Sequence, residues 1–207
     1  MKTYLPVVAV TLMWAAMLTT AQAEVYVSPF GGYSFGTSEF DVNDSQLGES
    51  DSLDVAESGH YGVMLGVGTG DPGNMYFLYS HQATDLKTRF NQSTNLVTPV
   101  AIDYFHLGGS LFFPSGQFKP YITASAGATQ FRPDGGFSNE TRFSMAIGGG
   151  VDIALTPSVS IFSDLRGYAT FLSNDSSLFC DSNQCLLYIH GDVMWQVQAN
   201  VGLSVKF

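Results

Sequence analysis

The chain has 207 residues, 45% of them apolar and only 13% charged, about half the charged share usual in a soluble domain, so a solvated exterior is hard to assemble from it. Eight Lys and Arg stand against 18 Asp and Glu with no basic run, which excludes nucleic acid as a partner, since its phosphates demand clustered cations. Abundant Gly and a 14% aromatic share also exclude a disordered acidic tail and a helical bundle.

Lys2 precedes an apolar run from Leu5 to Leu18, and Ala21-Gln22-Ala23 then supplies the small-x-small pattern that a signal peptidase accepts. This predicts a signal peptide over residues 1–23 and a single mature domain over 24–207. The run falls short of the ~18 residues a spanning helix needs, and no later stretch is longer, so no membrane-crossing helix is expected.

From Val25 onward the apolar period is two. Strands are predicted at Val25 to Phe35, His60 to Thr69, Met75 to Thr84, Val100 to Phe113 and Phe118 to Phe131. The third is the least regular, because Phe77, Tyr79 and His81 compete with Tyr76 and Leu78 for its apolar face. Three further strands alternate more cleanly. Arg142 to Leu155 sets Phe143, Met145, Ile147, Val151 and Ile153 against Arg142, Ser144, Gly148, Gly150 and Asp152. Val159 to Phe171 sets Ile161, Leu165 and Phe171 against Ser160, Asp164, Arg166 and Thr170. From Val193 to Phe207 the odd positions are apolar and the even ones include Gln196, Gln198, Asn200 and Ser204.

The connections carry as much information as the strands. Asp71 to Asn74, Pro114 to Gln117 and Thr156 to Ser158 are tight turns by their Pro, Gly and Asx chemistry. Gly36 to Gly59, Asp85 to Pro99, Arg132 to Asn139 and Ser173 to Ile189 are longer and polar. Short and long connections alternate, as they do in an all-β, eight-stranded antiparallel up-and-down transmembrane β-barrel with tight turns at one end and loops at the other. A soluble barrel would turn its apolar face inward and its charge outward. Here the polar face holds Gly, Ser, Thr and Gln with few charges, which suits a packed interior. Trp195 and Phe207 lie twelve residues apart, roughly 28 Å along the membrane normal at about 3.3 Å per residue and a tilt near 45°. With Phe113 and Phe171 they are assigned to two aromatic girdles.

The export signal, the alternating strands, the segment PYITASAGA at Pro120 to Ala128 and the final VGLSVKF resemble the small outer-membrane β-barrel superfamily, similar to the OmpA transmembrane domain. The resemblance spans nearly the whole mature chain, mostly as pattern. It implies the bacterial outer membrane as location, lipid and lipopolysaccharide as surroundings, and the barrel-assembly machinery as a partner during insertion. In that family a terminal aromatic with apolar residues at alternate positions forms the assembly signal, a role that would fall on Val201, Leu203, Val205 and Phe207. No peptidoglycan-binding domain follows the barrel, so the resemblance implies no link to the cell wall.

Interior chemistry is expected from Arg142, Asp152, Asp164, Arg166, Gln196, Gln198 and Asn200 as one lumenal polar network, with Gly148 and Gly150 leaving room opposite Arg166 and Asp164. An eight-stranded interior is filled by its own side chains, so no wide pore is expected. Cys180 and Cys185 read as a local disulfide in an oxidising compartment. Seven acids between Gly36 and Gly59 could attract Ca²⁺ or Mg²⁺, but DSQLGESDSLD lacks the order of a calcium loop, and a solvated acidic loop is the plainer reading. No catalytic set, metal or cofactor is expected. The functional expectation is a non-enzymatic surface barrel whose acidic loops contact a host or envelope partner. The alternative is a lipid-modifying or ligand-binding barrel with a rim site near His60, Tyr61, His190 and Asp192.

Overall fold

The computed structural model describes residues 24–36, 40–43, 50–70, 72–90, 93–113, 116–134, 138–172, 177–181, 184–188 and 193–207. They form β1 (Val25–Gly36), β2 (Phe40–Asn43), β3 (Ser50–Val55), β4 (Ser58–Gly70), β5 (Gly73–Phe90), β6 (Ser93–Phe112), β7 (Phe118–Pro133), β8 (Glu140–Ala154), β9 (Val159–Phe171), β10 (Ser177–Asp181), β11 (Gln184–Tyr188) and β12 (Val193–Lys206). Eight of these, β1, β4, β5, β6, β7, β8, β9 and β12, pair antiparallel with their neighbours in turn, and β12 returns to β1. The sheet is therefore a closed barrel, in which each of the eight strands has a paired neighbour on both sides. Closure is what allows strands to cross a hydrocarbon layer, where an unpaired edge has no water to bind.

One end of the barrel is tied by tight turns. Gly116 sits in the left-handed region with φ 67°, which a side chain would strain. In the β8–β9 turn the Thr156 hydroxyl accepts a hydrogen bond from the Val159 backbone N–H at 3.0 Å. The start of β1 and the last residue meet at this same end, where the Phe207 N–H donates to the Val25 carbonyl at 2.9 Å.

The opposite end is richer in strand than the sequence suggests. β5 runs on to Phe90 and β6 begins at Ser93, so most of the predicted loop from Asp85 to Pro99 is ladder, with a register shift between Leu86 and Lys87. The first connection contains the β2–β3 hairpin, and β3 continues the pairing of β4 onto β5. The last connection contains the β10–β11 hairpin, in which Cys180 and Cys185 are directly opposed. Once strands leave the apolar layer their two faces are both polar, and the period-two signal vanishes.

Side chains sort by wall face. Outside, aliphatic residues such as Leu107, Ile147, Leu165 and Val201 form a middle band, with Tyr33, Phe143, Phe171 and Trp195 towards the loop end and Phe113, Phe118 and Phe207 towards the turn end. Inside, the filling is not purely polar. Tyr26, Phe30, Met64, Leu78, Ile102, Tyr104, Phe162 and Tyr168 pack there as a cluster. In β5, Tyr76 and Leu78 are buried inward while Phe77 is exposed outward, which resolves its irregular pattern.

Candidate functional site

A buried ion pair lies on the inner face of the wall. Asp164 and Arg166 lie two apart on β9 and so share its inner face, and the β8–β9 register sets them against Gly150 and Gly148. A Cβ on Gly150 would come within 2.5 Å of the Asp164 Cβ, and one on Gly148 within 2.9 Å of the Arg166 Cγ, so the two glycines make the space the pair fills. Arg166 donates from Nε (3.0 Å) and Nη2 (2.8 Å) to Asp164 Oδ2. Tyr121 donates to the same oxygen at 2.7 Å, and Asn200 Nδ2 donates to Oδ1 at 2.7 Å. Arg166 Nη1 donates to the Tyr76 hydroxyl, which in turn bonds Thr123, and the Thr123 hydroxyl donates to the Gly109 carbonyl. Both charges are thus hydrogen-bonded by side chains of β5, β7, β9 and β12, which helps a buried pair to offset its desolvation.

Two histidines extend this interior. His60 lies between the Ser34 hydroxyl (2.8 Å to Nδ1) and Asn200 Oδ1 (2.6 Å to Nε2). Asn200 Oδ1 can only accept, so Nε2 carries a proton toward it and a neutral His60 accepts from Ser34. His106 bridges the hydroxyls of Ser125 and Ser144. Nearby, Tyr104 and Tyr168 pack with ring centroids 4.2 Å apart, and Tyr104 donates to Gln196 Oε1 at 2.8 Å. A cavity of about 40 Å³ between Tyr76, Arg166, Asp152 and Ser204 has room for no more than a few waters.

The residues expected to form one network therefore divide. Asp164, Arg166 and Asn200 are joined directly. Gln196 bonds Tyr104, and both amide atoms of Gln198 are buried without a hydrogen-bond partner. Asp152 accepts from Ser160 at 2.6 Å, nearer the turns. Arg142 pairs with Glu140 at 2.9 Å. It sits six residues from Gly148 towards the loops, roughly 20 Å along the strand, too far to reach Asp164.

Ser34, His60 and Asn200 have the connectivity of a nucleophile, a base and its orienting group. Ser34 is fully buried, however, and at the neighbouring wall glycine Gly32 a Cβ would come within 2.9 Å of the His60 ring. Of the alternative rim site, only half falls on described residues. His60 points into the lumen and Tyr61 to the outer surface, as adjacent strand residues must, while His190 and Asp192 lie outside the described residues. The side chains of Cys180 and Cys185 and of most first-loop acids also lie outside them.

A second polar cluster, missed in the sequence, sits on the outer wall. Asp103 on β6 has the outward parity of Phe105 and Leu107, yet its side chain is only 1% exposed. Its Oδ1 accepts from the Tyr79 hydroxyl at 2.9 Å and contacts His81 Nδ1 at 2.7 Å, and its Oδ2 pairs with Arg132 Nη2. Asp103 is ten residues from Phe113, which directly follows the end of its strand, roughly 23 Å along the normal at about 3.3 Å per residue and a tilt near 45°. That is the loop-side edge of an apolar band about 25 Å tall, where a charge costs little. The legible signal was an acid at an outward position of an alternating strand.

The sequence matches the outer membrane protein beta-barrel domain family over residues 5–207. The fold is similar to that of OprG from Pseudomonas aeruginosa, with a TM-score of 0.62 at 12% identity over 89% of this chain and 96% of that one. Neisserial surface protein A gives 0.59 at 16% identity over 88% and 97%, and the N-terminal barrel domain of Pseudomonas aeruginosa OprF gives 0.51 at 14% over 90% and 100%. At such identities these likenesses speak for the fold alone. No curated protein matches the sequence.

Proposed function

Since the chain belongs to the outer membrane protein beta-barrel domain family and is a bacterial outer-membrane protein, we propose that it acts as a closed, non-enzymatic anchor that holds acidic loops at the cell surface for contact with a host or envelope partner. The observation that supports this reading is the buried Asp164–Arg166 pair, bonded across the lumen to Tyr76, with the Tyr104–Tyr168 rings packed together beside it. A wall so filled passes no solute of useful size, and the strand additions fall at the loop end, where β5, β6 and the β2–β3 hairpin carry the chain beyond the apolar band. Planar-bilayer recording tests the closed barrel: no steady large conductance is expected, and one would overturn it. Lipid A mass spectra of cells with and without the protein test the non-enzymatic part, since a shift on expression that His60→Ala removes would replace it with a lipid-modifying activity.

Three further assignments belong to this reading. Residues 1–23 are the export signal, checked by the N-terminal mass of the membrane-extracted protein. Val201, Leu203, Val205 and Phe207 serve the assembly machinery as well as the lipid face. Cys180 and Cys185, opposed in register where antiparallel Cα atoms sit about 4.5–5.5 Å apart, are within bridging range. Alkylation without reductant should leave both unlabelled.

A further inference from the structure

At the turn end, which in outer-membrane barrels faces the periplasm, two lysines lie on the inside of the wall. Lys119 on β7 has the inward parity of buried Tyr121, and Lys206 on β12 has that of buried Ser204. Between them stand Asp152 on β8, Ser160 on β9 and Thr156 in the turn that joins those strands, and all of these residues line one cavity of about 100 Å³. Both lysines whose side chains are described therefore meet there. Among the described residues Lys119 has no hydrogen bond or ion pair, although Asp152 is its direct partner in the β7–β8 register. Lys206 pairs with Glu24 at 3.4 Å, a rim carboxylate that is 60% exposed. Asp152 Oδ2 accepts from Ser160, and Oδ1 has no partner among the described residues. The Thr156 hydroxyl already accepts from the Val159 N–H, which leaves its own O–H to donate.

We propose that this cavity is a binding site for inorganic phosphate from the periplasm, with phosphate oxygens on Lys119, Lys206 and Thr156 and one phosphate O–H donated to Asp152. The donor set selects the occupant. Two ammoniums against one carboxylate give the cavity lining a net positive charge, in a chain whose formal charge is -10. Each ammonium offers three N–H donors to anionic oxygens as a compact point charge. A carboxylate in the same cavity can only accept, so it repels any anion that brings no proton. Phosphate keeps at least one O–H near neutral pH and satisfies that acceptor, whereas sulfate keeps none. Ser160 fixes the other carboxylate oxygen, so Asp152 does not have to be ordered by the ligand. Glu24 lies outside the cavity lining, and solvent screens it. The site lies on the turn side of the Asp164–Arg166 pair, so its occupancy is independent of what the loops contact.

Equilibrium dialysis of the full-length mature barrel in neutral detergent and Tris at neutral pH, against radiolabelled phosphate or sulfate, decides it. Wild type should take up phosphate saturably and hold it about tenfold more tightly than sulfate, the factor expected of one charge-assisted hydrogen bond made or missing. Lys119→Gln should weaken phosphate about tenfold. Lys206→Gln should do the same from the other side of the cavity, so the result does not hang on the folding of one variant. Asp152→Asn, whose amide also donates, should bring the phosphate-to-sulfate ratio close to one. Heat-shifted gel migration confirms that each variant is a barrel. No saturable uptake by wild type overturns the proposal, as does phosphate binding unchanged in Lys119→Gln. Sulfate held as tightly as phosphate by wild type, or an unchanged ratio in Asp152→Asn, would show a plain anion contact and overturn the phosphate assignment.

Discussion

Two aspartates of this barrel are almost fully buried beside an arginine, and they lie on opposite faces of the same wall. Asp164 faces the lumen, where Arg166 is buried as deeply as its partner and where Tyr121, Asn200 and Tyr76 complete the hydrogen bonds. Asp103 faces the membrane, where Tyr79 and His81 cover it but Arg132 stays open. The inner pair has no solvent to fall back on, so every donor and acceptor must be met from the protein. The outer pair sits at the headgroup edge and can exchange a partner. Equal burial of the carboxylate therefore says little about rigidity. The exposure of the cation separates a structural pair from an adaptable one.

The largest effect is expected at the inner pair. Arg166→Met leaves Asp164 charged and buried, and should cost about 3–5 kcal/mol of unfolding free energy in a urea titration on lipid vesicles. Adding Asp164→Leu should restore only part of this, because the Tyr121 hydroxyl and the Asn200 amide lose their acceptor. Full stability in the single variant would mean that the lumen takes up water freely, and the contrast between the two faces would disappear.

Glycines on β8 sharpen the same contrast at smaller scale. A Cβ on inward Gly150 would lie 2.2 Å from the Ser163 carbonyl oxygen and 2.5 Å from the Asp164 Cβ, whereas one on outward Gly149 meets the Tyr121 carbonyl oxygen at 3.3 Å and otherwise faces the lipid side. Gly150→Ala should therefore cost about 1–3 kcal/mol, the range for overpacking a filled interior. Gly149→Ala should cost clearly less in the same titration. Equal costs would place the tightness of this strand in its backbone and not in the ion pair behind it.

Wall faces, tight turns and strand number were legible in the sequence because lipid on one side enforces a strict period of two, and Pro, Gly and Asx residues close the short turns. β12 shows this most clearly, with its outer side apolar from Val193 to Phe207. Legibility ended where that constraint ended. Asp85, Lys87, Thr88 and Arg89 are polar on both parities, so the far half of β5 looked like a loop although it pairs with β6 to Phe90. Inside the barrel, Tyr104 and Tyr168 serve as well as Gln196, so hydropathy cannot separate inner from outer aromatics. The membership of the Asp164 cluster was hidden for another reason. Asn200 is its direct β12 partner in the β9 register and Tyr121 reaches it over Gly150, which stands between them in the ladder, but Tyr76 arrives from β5, four strands away across the lumen.

The smallest expected effect is on the outer pair. Arg132→Gln removes an ion pair whose cation is nearly half exposed and leaves Asp103 its bonds to Tyr79 and His81. Exposed pairs contribute about 0–1 kcal/mol because solvent screens them and ordering the long side chain costs entropy. The variant should therefore unfold within about 1 kcal/mol of wild type in the titration that separates Arg166→Met from it. A loss as large as that of Arg166→Met would make Arg132 part of the barrel's scaffold. A small loss would show that the outer wall, unlike the lumen, does not depend on its ion pair for stability, which is the contrast that the exposure of the two cations implies.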